Sequence, residues 1–193
     1  MRVVAFDTKP LDGEPPTARS MIFVTPDGER TPLAESFRRI KRQILANVAE
    51  PKPGRPPPNL VLVTSALPGE GKTFCAINLA ISMALERDRT VLLVDADVAK
   101  ASIPRALGLD AEGGLMEALL DPHFDLANVL WRTDVGGLTV LPAGTAHEHA
   151  TELLASDAMG GRLREMAERH HIVVFDSPPL LAASEAAALA SRV

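Results

Sequence analysis

The chain of 193 residues is 46% hydrophobic and 23% charged, which is typical of a soluble globular domain with a core of its own. Its formal net charge of −5 argues against a nucleic-acid-binding protein, because a surface that follows a phosphate backbone usually brings an excess of basic residues. No apolar run approaches the ~18 residues of a bilayer-spanning helix, so we expect a cytoplasmic protein without direct membrane insertion.

The first 58 residues divide into three segments ahead of a folded core. Residues 1–31 are rich in Pro, Gly, Asp and Thr, and we expect a flexible lead-in with a short strand at Met21–Thr25. Residues 32–50 predict a basic amphipathic helix, because apolar residues recur at spacings of three and four: Phe37, Ile40, Ile44 and Val48. Residues 51–58 are rich in proline and predict a semi-rigid linker.

Residues 59–193 show the alternation of strands and helices that is typical of an α/β domain. Strands are predicted at 60–64, 90–95, 138–141 and 171–175, and helices at 72–86, 113–120, within 151–169 and from about 183. Because the strands are uniformly apolar and joined by crossover helices, we predict a doubly wound, mostly parallel sheet. The sequence stops inside a predicted helix without a stop signal, so we expect that the C-terminal part of this domain is missing.

The most informative segment joins the first predicted core strand to the next helix and reads Pro68-Gly69-Glu70-Gly71-Lys72-Thr73-Phe74. Glycines in such a loop let backbone N–H groups point at a phosphate, the lysine adds a mobile positive charge, and the hydroxyl can bind Mg²⁺. Ala66 stands where the strict pattern has glycine, but the strand before and the helix after are in place. The loop therefore predicts a P-loop NTPase fold that binds a nucleotide.

Three carboxylates follow predicted strands at the sheet edge where such folds bind ligands. Asp95 and Asp97 close one strand two residues apart, and Asp176 closes another. Mg²⁺ prefers one or two carboxylates with phosphate oxygens and water, so Thr73, Asp176 and one of the paired aspartates form a candidate ligand set. The remaining aspartate is a candidate base for an attacking hydroxyl. For each aspartate alone, the structural alternative is a helix N-cap.

Three motifs together resemble the Walker-type bacterial tyrosine kinases of polysaccharide synthesis. They are the loop from Ser65 to Thr73, the segment Asp95-Ala96-Asp97, and the segment Phe175-Asp176-Ser177-Pro178-Pro179. Further stretches, among them Thr151–Ser156, are most similar to the exosortase-associated exopolysaccharide tyrosine autokinases. The resemblance covers about residues 33–193 and implies the fold of the partitioning ATPases, with ATP and Mg²⁺ as cofactors.

The resemblance also implies a role for each matching residue. The residues implied for cofactor binding are Pro68, Gly69, Glu70, Gly71, Lys72, Thr73 and Phe74. The implied catalytic residues are Lys72, Asp95 and Asp97. The implied Mg²⁺ ligands are Thr73, Asp97 and Asp176.

The assembly that the resemblance implies is a homo-oligomeric ring, joined through Glu35, Arg38 and Lys41. Its implied activator is the cytoplasmic tail of a membrane polysaccharide co-polymerase, which would recruit the chain to the inner membrane. The chain departs from the family in places, since Lys41 and Ala99 stand where many members have arginine and His149-Ala150 stands where they usually have Asn-Pro. Members phosphorylate tyrosines near their own C-terminus, and this sequence contains no tyrosine. The acceptor and the polysaccharide therefore stay unidentified.

Two other functions stay open from the sequence. Partitioning-type ATPase switches carry a lysine five residues before the main lysine of the loop, and Leu67 occupies that position here, which favours the kinase. The third hypothesis is a module that binds a nucleotide without turning it over. The sequence does not identify the residues that bind the base.

Overall fold

A computed structural model describes residues 2–4, 31–48 and 57–193 of the protein. In the described residues one sheet contains six strands: β1 (Arg2–Val4), β2 (Leu60–Val63), β3 (Val91–Asp95), β4 (Trp131–Thr133), β5 (Leu138–Leu141) and β6 (Ile172–Asp176). Their order across the sheet is β1-β4-β5-β3-β6-β2, and each pair is parallel except β4 with β5. The mostly parallel sheet predicted from the sequence is confirmed.

Seven α-helices accompany the sheet in the described ranges. They are α1 (Pro32–Asn47), α2 (Lys72–Ala84), α3 (Ile103–Leu107), α4 (Leu115–Leu120), α5 (Ala150–Ala155), α6 (Asp157–Arg169) and α7 (Ser184–Ala190). Short 3-10 turns follow β3 at Val98–Lys100 and precede β4 at Leu126–Asn128. Within these ranges, none of the helices combines the length and the apolar character that crossing a membrane would require.

Both faces of the sheet are covered by helices. One apolar cluster packs α1, α2 and α3 against the sheet, and a second packs α4, α5, α6 and α7 against the opposite face. Successive residues of β3 serve opposite faces, since Val91 and Leu93 belong to the first cluster and Leu92 and Val94 to the second. This alternation explains why the strand is apolar throughout, and it confirms the doubly wound architecture.

The buried stripe of α1 differs from the predicted one at a single position. Phe37 is buried as predicted, and Ile44 and Val48 are partly buried against the same cluster. Ile40, however, is 45% exposed, and Lys41, at 7%, takes its place. The Lys41 ammonium donates to the Ser82 carbonyl at 3.0 Å and pairs with Glu86 at 2.6 Å. A lysine is buried here because its flexible stem packs on α2 while its charge satisfies a carbonyl of the last helical turn.

Three short elements were not predicted, namely β1, β4 and α3. Each has three to five residues, which is too short to show a period in the sequence. β1 lies within the segment predicted to be a flexible lead-in and pairs with β4. The strand predicted at Met21–Thr25 and residues 51–56 of the linker lie outside the described residues.

Candidate functional site

The phosphate loop is shaped by two left-handed glycines. It leaves β2 at Val63 and enters α2 at Lys72, and Gly69 and Gly71 have φ angles of 86° and 88°. Nothing lies within 4 Å of a β-carbon at either position, so the backbone conformation rather than crowding calls for glycine. The Glu70 carboxylate accepts hydrogen bonds from the backbone N–H groups of Ala66 and Leu67 at 2.9 and 3.1 Å. Glu70 thus closes the loop on itself and leaves the N-terminus of α2 open toward a ligand.

Lys72 and Thr73, the first residues of α2, contact the segment that follows β3. The Lys72 ammonium pairs with Asp97 Oδ2 at 2.8 Å, and both side chains are largely buried. The hydroxyl of Thr73 hydrogen-bonds the hydroxyl of Ser102 at 3.0 Å. The second oxygen of Asp97 accepts from the Lys100 N–H at 3.2 Å, which fixes the carboxylate at the start of the 3-10 turn. The structure therefore brings Lys72, Thr73 and Asp97 into one group.

Asp95 is buried and committed to backbone groups. Its carboxylate accepts from the N–H groups of Ser102 and Ile103 at 2.9 and 3.0 Å and from that of Asp97 at 3.2 Å. Burial raises the pKa of Asp95 to about 7 and the charge of Asp176 adds to the increase, while these hydrogen bonds oppose it. This geometry resembles the N-cap alternative, because the carboxylate holds the start of α3 and orients the backbone of Asp97.

Asp176 ends β6 directly beside Asp95 at the end of β3. It is fully buried, and neither of its oxygens has a hydrogen-bond partner among the described residues. Burial raises the pKa of Asp176 to about 6 and Asp97 adds to the increase, while Thr73 and Lys72 lower it. The Thr73 hydroxyl is near enough to have this effect, although the two groups do not meet the geometry of a hydrogen bond.

An unpartnered buried carboxylate next to a phosphate loop fits a divalent cation. Within the described residues, no group of three or more His, Cys, Asp or Glu side chains is placed to enclose a metal ion without other ligands. Mg²⁺ does not need such a group, because it usually keeps waters and binds phosphate oxygens beside one or two carboxylates. Asp176, Asp97 and the Thr73 hydroxyl are therefore suited to Mg²⁺ bound together with a nucleotide.

A cavity of about 540 Å³ lies in front of Lys72, Thr73 and Asp97. Such a volume falls within the range of small-molecule sites, roughly 300–1,000 Å³. Asp97 lines this cavity, whereas the buried Asp95 and Asp176 do not. Sequence reasoning missed Ser102 and Arg105, which also line it, because the short α3 that carries them gave no periodic signal.

The three residues assigned to subunit contacts do not share one surface. Glu35 and Arg38 are partly exposed and pair with each other at 3.1 Å on α1. Lys41 faces α2 of its own chain and is buried. Glu35 and Arg38 are therefore accessible on the surface of α1, whereas Lys41 is used inside the chain.

The family model described as AAA domain matches residues 60–192. The tyrosine-protein kinase ptk of Acinetobacter johnsonii is 35% identical over 127 residues, which cover 66% of this chain and 17% of that protein. The crystal structure of the VpsO kinase domain is 31% identical and superimposes with a TM-score of 0.71 over 83% of this chain and 75% of that one. Cobyrinic acid a,c-diamide synthase from Mycobacterium smegmatis, solved with an ATP analog and magnesium, has a TM-score of 0.55 at 27% identity, over 68% of this chain and 55% of that one.

These similarities show the family of this chain. They also show what share of a relative's length the chain spans. The chain spans less than a fifth of the length of the ptk kinase, although it spans three quarters of the VpsO kinase domain. The synthase structure that contains an ATP analog and magnesium shares the fold of this chain over about two thirds of its length. The matched region from residue 60 onward includes the phosphate loop, both aspartates after β3 and Asp176.

Proposed function

Since the chain belongs to the bacterial tyrosine kinases of the AAA-domain family, we propose that it binds Mg-ATP and phosphorylates a tyrosine. The acceptor lies outside these 193 residues, because they contain no tyrosine. The observation that carries the proposal is the buried Asp176 carboxylate, without a hydrogen-bond partner in the described residues, behind a phosphate loop whose lysine already contacts a second carboxylate. This arrangement suits a cation and an anionic ligand together.

The nucleotide phosphates would lie against the loop N–H groups and the start of α2. Lys72 would turn from Asp97 to the phosphates, and Gly69 and Gly71 keep the backbone free of side chains at that surface. Thr73, Asp97 and Asp176 would hold Mg²⁺, with Asp176 acting through water. Bound Mg²⁺ supplies charge neutralisation for the transferred phosphoryl group.

In the transfer, the bond between the γ-phosphorus and the bridging oxygen of ATP breaks, and the phenol oxygen forms the new bond. ADP leaves with the electron pair of the broken bond. The phenol proton would pass to the Asp97 oxygen that does not bind Mg²⁺, because Asp97 is the carboxylate of the aspartate pair after β3 that faces the cavity. Asp95 acts as a positioning residue, since it holds the N–H groups on both sides of the turn.

The test is transfer of labelled phosphate from γ-labelled ATP to a supplied tyrosine peptide in the presence of Mg²⁺. We expect phosphotyrosine with the wild-type chain and its loss in Lys72→Ala and Asp97→Ala. Glu148→Gln, an exposed change far from the loop in sequence, is the matched control and should not alter the rate. Hydrolysis without transfer would instead support the partitioning-type ATPase switch, and binding without turnover would support a nucleotide-binding module.

We further infer that residues 32–50 join subunits into a ring and that residues 59–193 form the catalytic part, preceded by the 51–58 linker and the 1–31 lead-in. A co-polymerase tail at the inner membrane would act on this ring in polysaccharide export. The exposed pair Glu35 and Arg38 supports a contact with a neighbouring chain.

Exchanging the charges one at a time, Glu35→Arg and Arg38→Glu, should weaken the oligomer measured by light scattering, and the double exchange should restore it. An unchanged mass would contradict this assembly.

A further inference from the structure

The cavity in front of Lys72 and Asp97 has two different kinds of wall. Its polar end carries the ammonium and the carboxylate described above, where the transferred phosphoryl group would lie. Its remaining surface is mostly apolar and is formed by Phe74, Ile77, Val98, Ala106, Pro178 and Pro179. A flat aromatic ring with a polar tip matches such a site, because the ring fills the apolar part and its hydroxyl reaches the polar end.

Two basic residues stand at the rim of this cavity. Lys100 and Arg105 line it and are exposed, and neither forms an ion pair with any residue in the described ranges. They stand out because the chain as a whole is acidic, with 25 Asp and Glu against 20 Lys and Arg. Unpaired cations beside an apolar cavity provide an electrostatic complement to an anionic partner.

The backbone segments that carry both cations are held close to the polar end. The Lys100 N–H donates to the carboxylate and the carbonyl of Asp97, so its turn is tied to that residue. Arg105 lies on α3, whose first N–H groups are held by Asp95. A group bound by these cations therefore lies within reach of two side chains whose backbone is held next to Asp97.

From this geometry we propose that the part of the cavity away from the phosphate loop is the acceptor site, and that Lys100 and Arg105 select a tyrosine with acidic neighbours in its sequence. The inference rests on the proposed kinase function and adds the class of peptide that the enzyme accepts. Glu185 lines the same cavity as a carboxylate. It would disfavour an acidic residue on its own side, so the preference has a direction along the peptide.

The experiment compares two peptides that carry one tyrosine, flanked either by glutamates or by glutamines. The variants are Lys100→Gln, Arg105→Gln and the double change, with Arg164→Gln on the exposed side of α6 as the matched control. For the acidic peptide we expect kcat/KM to fall about threefold in each single variant and roughly tenfold in the double variant, as for partly exposed charge pairs. For the glutamine peptide and for the KM of ATP we expect no change.

A binding measurement separates this inference from the kinase proposal. Fluorescent peptides with phenylalanine in place of tyrosine cannot accept phosphate, and their affinity for the ADP-loaded chain reports docking alone. A preference for the acidic peptide that disappears in the double variant supports the inference even if the wild-type chain transfers no phosphate. Equal loss with both peptides, or an increase in the KM of ATP, would overturn it, since the cations would then serve the fold or the nucleotide.

Discussion

At the scale of single residues, the most consequential contact is the 2.8 Å pair between Lys72 and Asp97. It joins the cation expected to bind phosphate to a carboxylate expected to contact Mg²⁺ and the acceptor. A phosphate must therefore compete with Asp97 for the lysine, and Mg²⁺ must compete with the lysine for Asp97. The pair sets a resting state that ATP and Mg²⁺ would break together.

The first prediction concerns this competition. Asp97→Asn removes the anion that holds Lys72, so ATP without Mg²⁺ should bind roughly three- to tenfold more tightly, while Mg²⁺ should no longer improve the affinity as it does in the wild type. Titration calorimetry in EDTA and in Mg²⁺ measures both effects. Weaker binding of the variant in EDTA would show that Asp97 orders the loop rather than restrains its lysine.

Residue roles were predictable from the sequence only where the local pattern dictates them. The loop lysine and threonine belong to the motif, and the structure places them at the N-terminus of a helix as expected. The aspartates two residues apart look equivalent in the sequence, but the chain turns after Asp95 and commits that carboxylate to three N–H groups. The two hydrogen bonds by which Glu70 closes the phosphate loop could not be predicted from the sequence either, because they form only in the folded loop.

At the scale of elements, α1 is attached to α2 by a charged group as well as by apolar packing. Lys41 reaches the last turn of α2, and the rings of Phe37 and Phe74 are 6.2 Å apart. Phe74 also lines the cavity. The helix proposed to join subunits therefore contacts one wall of the proposed acceptor site.

The second prediction concerns this attachment. Lys41→Met keeps the packing volume but leaves the Ser82 carbonyl without its donor, so the free energy of unfolding should fall by about 1–3 kcal/mol. Urea unfolding measures the change, and Arg39→Met on the exposed side of the same helix should change it by less than about 0.5 kcal/mol. Equal stability of the two variants would contradict a role for Lys41 inside the monomer.

The start of α4 is held by a carboxylate. Glu117 accepts from the N–H groups of Gly114 at 2.6 Å and of Thr145 at 3.0 Å. Gly114 passes so close to the Pro142 carbonyl that a β-carbon there would lie at 2.1 Å from it. Glu117 therefore ties the loop after β5 to the start of α4.

The third prediction is the pH dependence of this contact. Burial acts to raise the pKa of Glu117, but its hydrogen bonds to Thr145 and Gly114 prevail and lower it below the ordinary 4.5. A lowered folded-state pKa means that the stabilisation is present above pH 4.5 and is lost as the pH falls through the folded-state value. Glu117→Gln should cost about 1 kcal/mol in unfolding free energy at pH 7, and much less at a second pH that lies below the folded-state pKa.

Urea titrations at the two pH values measure this difference, with the exposed Glu168→Gln as the control. If Glu117→Gln lost the same amount of unfolding free energy at both pH values, the shape of the Glu117 side chain would matter rather than its charge.

The loops and short strands around such contacts were the least predictable part of the fold. β4 has three residues, and only two of them pair with β5, whereas the five-residue strands β3 and β6 were predicted from their continuous apolar runs. Ile40 and Lys41 show the same limit, because a small rotation of the helix decides which side chain faces the core. Tertiary packing decides such cases, and a local pattern does not contain it.

At the scale of the whole molecule, the site is assembled from the ends of three strands that are adjacent in the sheet but distant in the chain. β3 lies beside β6 and β6 beside β2, all three are parallel, and their carboxyl ends therefore meet at one edge. The phosphate loop comes after β2, the aspartate pair closes β3 and Asp176 ends β6. The order of the strands thus gathers in space residues that the sequence keeps far apart.

A single Mg-ATP site at these three strand ends is tested by the affinity of the intact chain for ATP, with and without Mg²⁺, in the wild type and in Asp176→Asn. We predict that Mg²⁺ tightens binding at least about tenfold in the wild type and in the control Glu148→Gln. In Asp176→Asn we expect this gain to disappear, while binding in EDTA stays equal or improves because a buried negative charge behind the phosphates has been removed. A Mg²⁺-dependent gain that survives in Asp176→Asn would contradict the assignment of the three strand ends to one Mg-ATP site.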